Sequence, residues 1–280
     1  MELLELYRGM LEFRVLWIAA FCTGFVVAGA LWLQRPLVPG RSTLRNAGIS
    51  LAFYVTNFLA APAAAVINLG VIVAWTWADL PRLPADIWAG WHPAALMVVA
   101  VVAGDFSVYW AHRWMHGRIG WPIHAIHHSD SDVNGFTTLR VHILEPVVMR
   151  FFALIFVAWM GLPPAAAAGA GLFLMLHNVY VHFDLDWTHG RLGWLIASPR
   201  FHRWHHVDDP AIFGHNLANV MPVWDMMFGT YINPGPVRGK LGAASSGVPD
   251  LDLGALWLWP LREWAAMLRQ WRSGVADTAR

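Results

Sequence analysis

A single cysteine, Cys22, occurs in the chain, and it lies within an apolar run. One thiol excludes an intrachain disulfide and any C-x-x-C metal or redox motif. Charge is also scarce: 13% of the 280 residues are Asp, Glu, Lys or Arg, against roughly 25% in a soluble globular domain. The formal net charge is +1 without a long basic run, which speaks against nucleic acid or another polyanion as a partner. The opening "MELLELYRGMLEFR" puts Glu2, Glu5 and Glu12 ahead of the first apolar run. A secretory signal begins with a basic region instead, so no cleaved leader is expected and the first apolar segment is expected to remain as an anchor. No H-E-x-x-H occurs, which argues against a zincin protease. No E-x-x-H occurs either, which argues against a ferritin-like di-iron bundle. H-P-G-G and G-x-G-x-x-G are missing as well, so the chain offers neither of those haem and dinucleotide signatures.

What the chain has in abundance is apolar sequence, 57% of its residues. Uncharged stretches run from Val15 to Gln34 (20 residues), Asn46 to Ala78 (33) and Ile87 to Gly104 (18), each near or above the roughly 20 residues that cross a bilayer core. These are three expected spans. A fourth, Phe151 to Phe183, is 33 residues long with Pro163 and Pro164 near its middle, where a continuous helix would break. It is expected to be a helical hairpin with its tip at Gly161 to Pro164 and arms too short to cross, entering and leaving on one side. The expected fold is therefore all-α: one integral membrane domain over residues 1–280, with three spans, a re-entrant hairpin and a histidine-rich helical cap. If the N-terminus is outside, Arg8, Arg14 and Arg82 are the outer basic residues and the other 16 of 19 lie inside. That bias predicts a cytoplasmic face for everything after Asp105. The tail Leu251 to Trp271 interleaves Trp and Leu with Arg and Glu, the pattern of an interfacial amphipathic helix.

Thirteen of the fourteen histidines fall between His112 and His215. "HRWMH" places His112 and His116 one helical turn apart, on one face if the third span continues as a helix. "HAIHH" carries His124, His127 and His128, and "RFHRWHH" carries His202, His205 and His206; the i, i+3 and i, i+4 spacings again share a face. A lone histidine is an ordinary hydrogen-bonding residue, and that account suits His92 and His215. Eight grouped imidazoles beside a bilayer are costly unless something coordinates them, and they are enough for two metal ions. Imidazole suits Zn, Cu, Fe and Ni alike, so ligand type does not choose the metal.

The boxes together resemble the eight-histidine signature of the fatty acid hydroxylase/sterol desaturase superfamily. "DFSVYWAHRWMH" resembles its first box. "WPIHAIHHSDSDVNGFTTLRVHILEPV" resembles the second with its downstream element, read here as Arg140, His142, Ile143 and Glu145. In "VHFDLDWTHGRLGWLIASPRFHRWHH", His182 takes the histidine place of an H-x-N element and Asp184 the asparagine place, and "VWDMMFGTY" resembles the closing motif. The likeness covers about residues 105–231, the expected catalytic region.

The resemblance implies a membrane enzyme that uses two irons and O2 to hydroxylate or desaturate an unactivated C–H bond of a fatty acyl or sterol-like lipid. Electrons would come from a separate donor, a cytochrome b5-like or ferredoxin-type system. It implies His112, His116, His124, His127, His128, His202, His205 and His206 as ligands, with His182 a ninth and His177 equally readable as a hydrogen bonder inside the hairpin. Asp105, His142, Glu145 and Asp184 are candidates for orienting the ligands; Asp105 could instead cap a helix end and His142 with Glu145 could line a substrate entrance. Phe151, Phe152, Phe156, Trp159, Phe173 and Met175 could form a lipid groove or simply pack. His189 has a weak claim, and Asp208 and Asp209 suit a solvated turn before Pro210. The same metal site could act on a carotenoid or an ether lipid. A metal carrier or sensor without catalysis is a further alternative, though transporters place their ligands near the bilayer midplane.

Overall fold

The computed structural model describes residues 41–273; the first expected span, Val15 to Gln34, lies outside them. Among the described residues the regular structure is helical: α1 (Arg41–Trp77), α2 (Pro93–Met115), α3 (Trp121–His128), α4 (Leu144–Met160), α5 (Pro164–Val181), α6 (Pro199–His205), α7 (Val223–Phe228) and α8 (Leu253–Ser273), with short 3-10 turns between them. Helix α2 packs against α4 and α5, α1 against α4, α3 against α8, and α5 against α6.

Start signals set the helices that matter most. Helix α2 begins with Pro93 at its first turn, and the His92 side chain caps it by accepting from Ala94 N at 3.2 Å, as a hydrogen bonder rather than a ligand. The third expected span ended at Gly104 because Asp105 is charged. The helix runs on to Met115 because the Asp105 carboxylate is buried and met by Val220 N and Met221 N at 2.8 Å and by Trp224 Nε1 at 3.0 Å. Helix α6 opens with Pro199 after Ser198, whose Oγ accepts from Phe201 N at 3.2 Å.

A turn joins α4 and α5 where the hairpin tip was expected, with Gly161 at φ +60 and Pro163 between the arms, and each arm packs on α2. The turn is tied down: Leu83 N donates to the Trp159 carbonyl at 2.7 Å and Trp88 Nε1 to that of Met160 at 2.8 Å. The arms are longer than half the uncharged stretch. Helix α4 starts at Leu144, seven positions ahead of Phe151, because Glu145 is buried inside the molecule. Helices α2 and α5 are long and apolar enough to cross a membrane, so α5 is not too short, as the stretch had implied.

Helix α8 takes up the expected amphipathic tail. Leu256 is fully buried with Phe53, Trp121 and Ile126, and Trp257 stacks on Phe53 with centroids 6.1 Å apart. Leu258, Leu261, Leu268 and Trp271 stay exposed. Trp264 Nε1 donates to the Ile119 carbonyl at 2.9 Å, so α8 also touches the turn between α2 and α3.

That turn brings the first two histidine boxes together, and Gly120 permits it. A Cβ at Gly120 would lie 2.5 Å from Met115 Cα and 2.6 Å from the Trp114 carbonyl oxygen, backbone atoms that cannot swing away. Gly120→Ala is expected to lower the thermal unfolding midpoint of the purified protein, with a loss of about 1–3 kcal/mol. Gly171→Ala, in α5 with nothing within 4 Å of its Cβ, should leave the midpoint level or raise it, by up to about 1 kcal/mol.

Candidate metal centre

On α2 and its C-terminal cap, Asp105, Tyr109, His112 and His116 recur at four, three and four residues and so lie along one inward face. Helix α3 presents His124, His127 and His128, all buried. His182 caps the C-terminus of α5, and α6 with its cap carries His202, His205 and His206. Nine histidines thus meet where the ends of four helices converge. They form two groups: His112, His116, His124, His128 and His205, and His127, His182, His202 and His206. Each triplet is split between the groups. The triplets face each other, with His128 4.5 Å from both His205 and His206 between ring centroids.

The hydrogen bonds define tautomers. Nδ1 of His112 donates to the Leu217 carbonyl at 2.7 Å, that of His205 to the His215 carbonyl at 2.8 Å and that of His182 to the Asn178 carbonyl at 2.6 Å. Nδ1 of His124 lies 3.1 Å from Glu145 Oε1. A neutral imidazole that donates from Nδ1 keeps a bare lone pair on Nε2. The Nε2 atoms converge: those of His112 and His124 are 2.8 Å apart, and that of His182 lies 3.0 Å from Nε2 of His127 and His202 and 3.2 Å from that of His206. Two acceptors at such distances repel unless a cation sits between them. Imidazole nitrogens sharing one ion at bonds of about 2.0–2.1 Å come about 3 Å from each other. Both nitrogens of His116 and of His128, and Nε2 of His205, are buried without a hydrogen-bond partner among the described residues, so they have lone pairs to give. The donor set fits a metal ion in each group.

Electrostatics agree. Burial pushes the pKa of His116, His124, His127, His128, His202, His205 and His206 well below the usual imidazole value, and neighbouring imidazoles push it further. Burial takes His182 down to about 4. The cluster is held neutral at pH 7, which is the ligating form.

Of the candidates for orienting ligands, Glu145 touches one. Asp105 touches no histidine and caps no helix end, since it lies inside α2 and holds the 220–224 segment. Asp184 pairs with Arg203 at 3.2 Å. His142 accepts from Leu144 N at 3.3 Å and packs 5.3 Å from Trp257. His177 falls outside both groups, its ring against Phe173 and Tyr180. His189 bonds to the Tyr180 hydroxyl at 2.6 Å and the Ile196 carbonyl at 3.1 Å. The His215 ring makes an ordinary bond to the Ile212 carbonyl at 3.1 Å. Asp208 and Asp209 sit in an exposed turn, Asp208 accepting from Ser245. The orienting carbonyls of Leu217, His215 and Asn178 escaped the sequence because a backbone group leaves no residue signal.

Between α1, α2 and α4, Ile67, Val71, Trp114, Val147, Val148, Phe151 and Phe152 line an apolar groove of about 330 Å³. Phe151 and Phe152 are where a lipid groove was expected. Phe156 packs into the interior against Phe106, 5.3 Å away, and Trp159 and Phe173 are exposed on the outer surface.

Residues 97–230 match the family model described as "Fatty acid hydroxylase". The chain is 32% identical over 165 residues to alkylglycerol monooxygenase of Xenopus tropicalis, a match covering 58% of this chain and 34% of that protein. It is 29% identical over 145 residues to ornithine lipid hydroxylase OlsE of Rhizobium tropici, covering 51% and 44%. To methylsterol monooxygenase 1-3 of Arabidopsis thaliana it is 27% identical over 151 residues, covering 49% and 47%. The chain thus spans less than half the length of each of these relatives. No solved structure matches.

Glu145 touches His124, and metal affinity reads that contact: Glu145→Gln should weaken metal retention by about 10–100-fold in a chelator titration.

Proposed function

We propose, from the match of residues 97–230 to the fatty acid hydroxylase family model, that this chain is a membrane-bound di-iron oxygenase acting on a lipid. The observation that carries this is the convergence of nine histidines into two groups of ring nitrogens at the ends of apolar helices. His112, His116, His124, His128 and His205 would hold one iron, and His127, His182, His202 and His206 the other. Such a pair supplies activation of O2 and attack on an unactivated C–H bond, with electrons from a separate donor protein.

The chain's own residues do the rest. Burial keeps the imidazoles neutral and water away from them. Glu145 and the carbonyls of Leu217, His215 and Asn178 each hold the proton on Nδ1, so that Nε2 stays free to ligate. The apolar groove would take a hydrocarbon chain from the bilayer: Glu145, Val148 and Phe152 are spaced three and four residues apart on α4, so the groove shares a helix face with the carboxylate bound to His124. The relatives' names describe acting on alkylglycerols, an ornithine lipid and methylsterols. All are monooxygenases or hydroxylases, which favours insertion of oxygen over desaturation, and an ether lipid is a second substrate reading supported by the alkylglycerol enzymes. In this account α1 and α2 cross the membrane, the α4–α5 pair runs beside α2 until its turn meets the loop between α1 and α2, and the histidine cap faces the cytoplasm, as the distribution of Arg favours.

Purified protein is expected to contain two irons per chain, and His202→Ala to lose iron and O2-dependent activity together. Metal analysis returning one zinc, or none, with the histidines intact would sink the di-iron reading. Lipid extracts of cells supplied with the intact gene should contain a species heavier by one oxygen than those of a deletion strain. A product lighter by two hydrogens would show desaturation instead.

A further inference from the structure

Two of the orienting carbonyls come from one short segment. His215 accepts from His205 and Leu217 from His112, and both rings belong to the five-histidine group. Between them, Asn216 has a left-handed backbone, φ 54, which asparagine tolerates better than most residues. Its side chain holds that conformation: Nδ2 donates to the carbonyls of Phe201 and Ile232 at 2.8 and 3.0 Å, and Oδ1 accepts from Ile232 N at 2.9 Å. The left-handed turn separates the two carbonyls, which reach two rings on different helices.

Two buried carboxylates then hold the rest of the segment. Asp225 accepts from Leu217 N at 2.7 Å, Ala218 N at 2.9 Å and Thr230 Oγ1 at 2.6 Å. Asp105 accepts from Val220 N and Met221 N. Thr230 Oγ1 also meets the Tyr109 hydroxyl at 3.0 Å, so both carboxylates connect the segment to the α2 face that carries His112. Burying two carboxylates is expensive unless their hydrogen bonds are filled. Here the bonds are filled by a loop's amides, and the loop's carbonyls turn to the histidines. The four-histidine group is anchored otherwise, His182 donating to Asn178 one turn back on α5.

We propose that Asp105 and Asp225 are positioning residues for one metal of the pair: they clamp the His215–Met221 segment so that its carbonyls fix the tautomer and aim of His112 and His205. The proposal rests on the two-metal reading of the site. A clamp removed from this segment loosens two of the five ligands in one group and leaves untouched the carbonyl anchor of His182 in the other.

The test is chelator-driven metal release from the full-length iron-loaded protein in detergent, comparing wild type with Asp225→Asn and Asp105→Asn. Each variant puts an amide NH2 where backbone N–H groups need acceptors. Expected is a biphasic release in which one iron per chain leaves about 10–100-fold faster and the other leaves at the wild-type rate. Unchanged rates for both irons, or equal acceleration of both, would overturn the proposal, the latter because a purely structural loss does not choose between sites. Asn216→Gly keeps the left-handed backbone, removes the anchoring amide and should give the same one-sided acceleration if the aspartate variants fail to fold; parallel loss there overturns the proposal too. A wild type that holds a single iron would sink the di-iron reading separately. The positioning role then stands only if that iron leaves Asp225→Asn faster, and falls if it does not.

Discussion

Nine buried imidazoles crowded into two groups make an unstable arrangement without a cation, and much of this molecule exists to hold it. Each Nδ1 that is tied to a carbonyl or to Glu145 commits its ring to a bare Nε2. Burial then denies those nitrogens both water and a proton. An ion is the one partner that satisfies them all.

Holding that arrangement beside apolar helices explains the polar groups sunk into the fold. Asp105, Glu145 and Asp225 are each buried, and each is spent on the centre: Glu145 directly on a ring, the two aspartates on the loop that supplies carbonyls to two rings. Arg140, fully buried, plays the matching part on the far side. It donates to Ser129 Oγ at the end of α3, to Asn46 Oδ1 on α1 and to the Asp250 carbonyl ahead of α8. It thereby ties the helix bearing His124, His127 and His128 to both helices that cover it.

The spacing of the histidines made their shared faces legible, because i, i+3 and i, i+4 geometry is local and survives any packing. His182, offered by a motif and lacking a spacing partner, also joins the centre. Charged residues were harder to place. Asp105 looked like a boundary and is an interior anchor; Asp184 looked like a ligand's partner and faces Arg203. An ionisable residue's role depends on which distant groups come to meet it, and neither Val220 nor Arg203 could be chosen from positions along the chain.

By itself the sequence determined the class of the molecule: apolar helical segments, a chain reversal at Gly161 to Pro164, and histidines crowded enough to demand metal. Tertiary structure alone decided how they are shared. His124 and His128 go to one group and His127 to the other, while His205 leaves His202 and His206. A helix sets which residues share a face, but only the crossing of α2, α3, α5 and α6 sets which faces meet, and coordination is a property of that meeting.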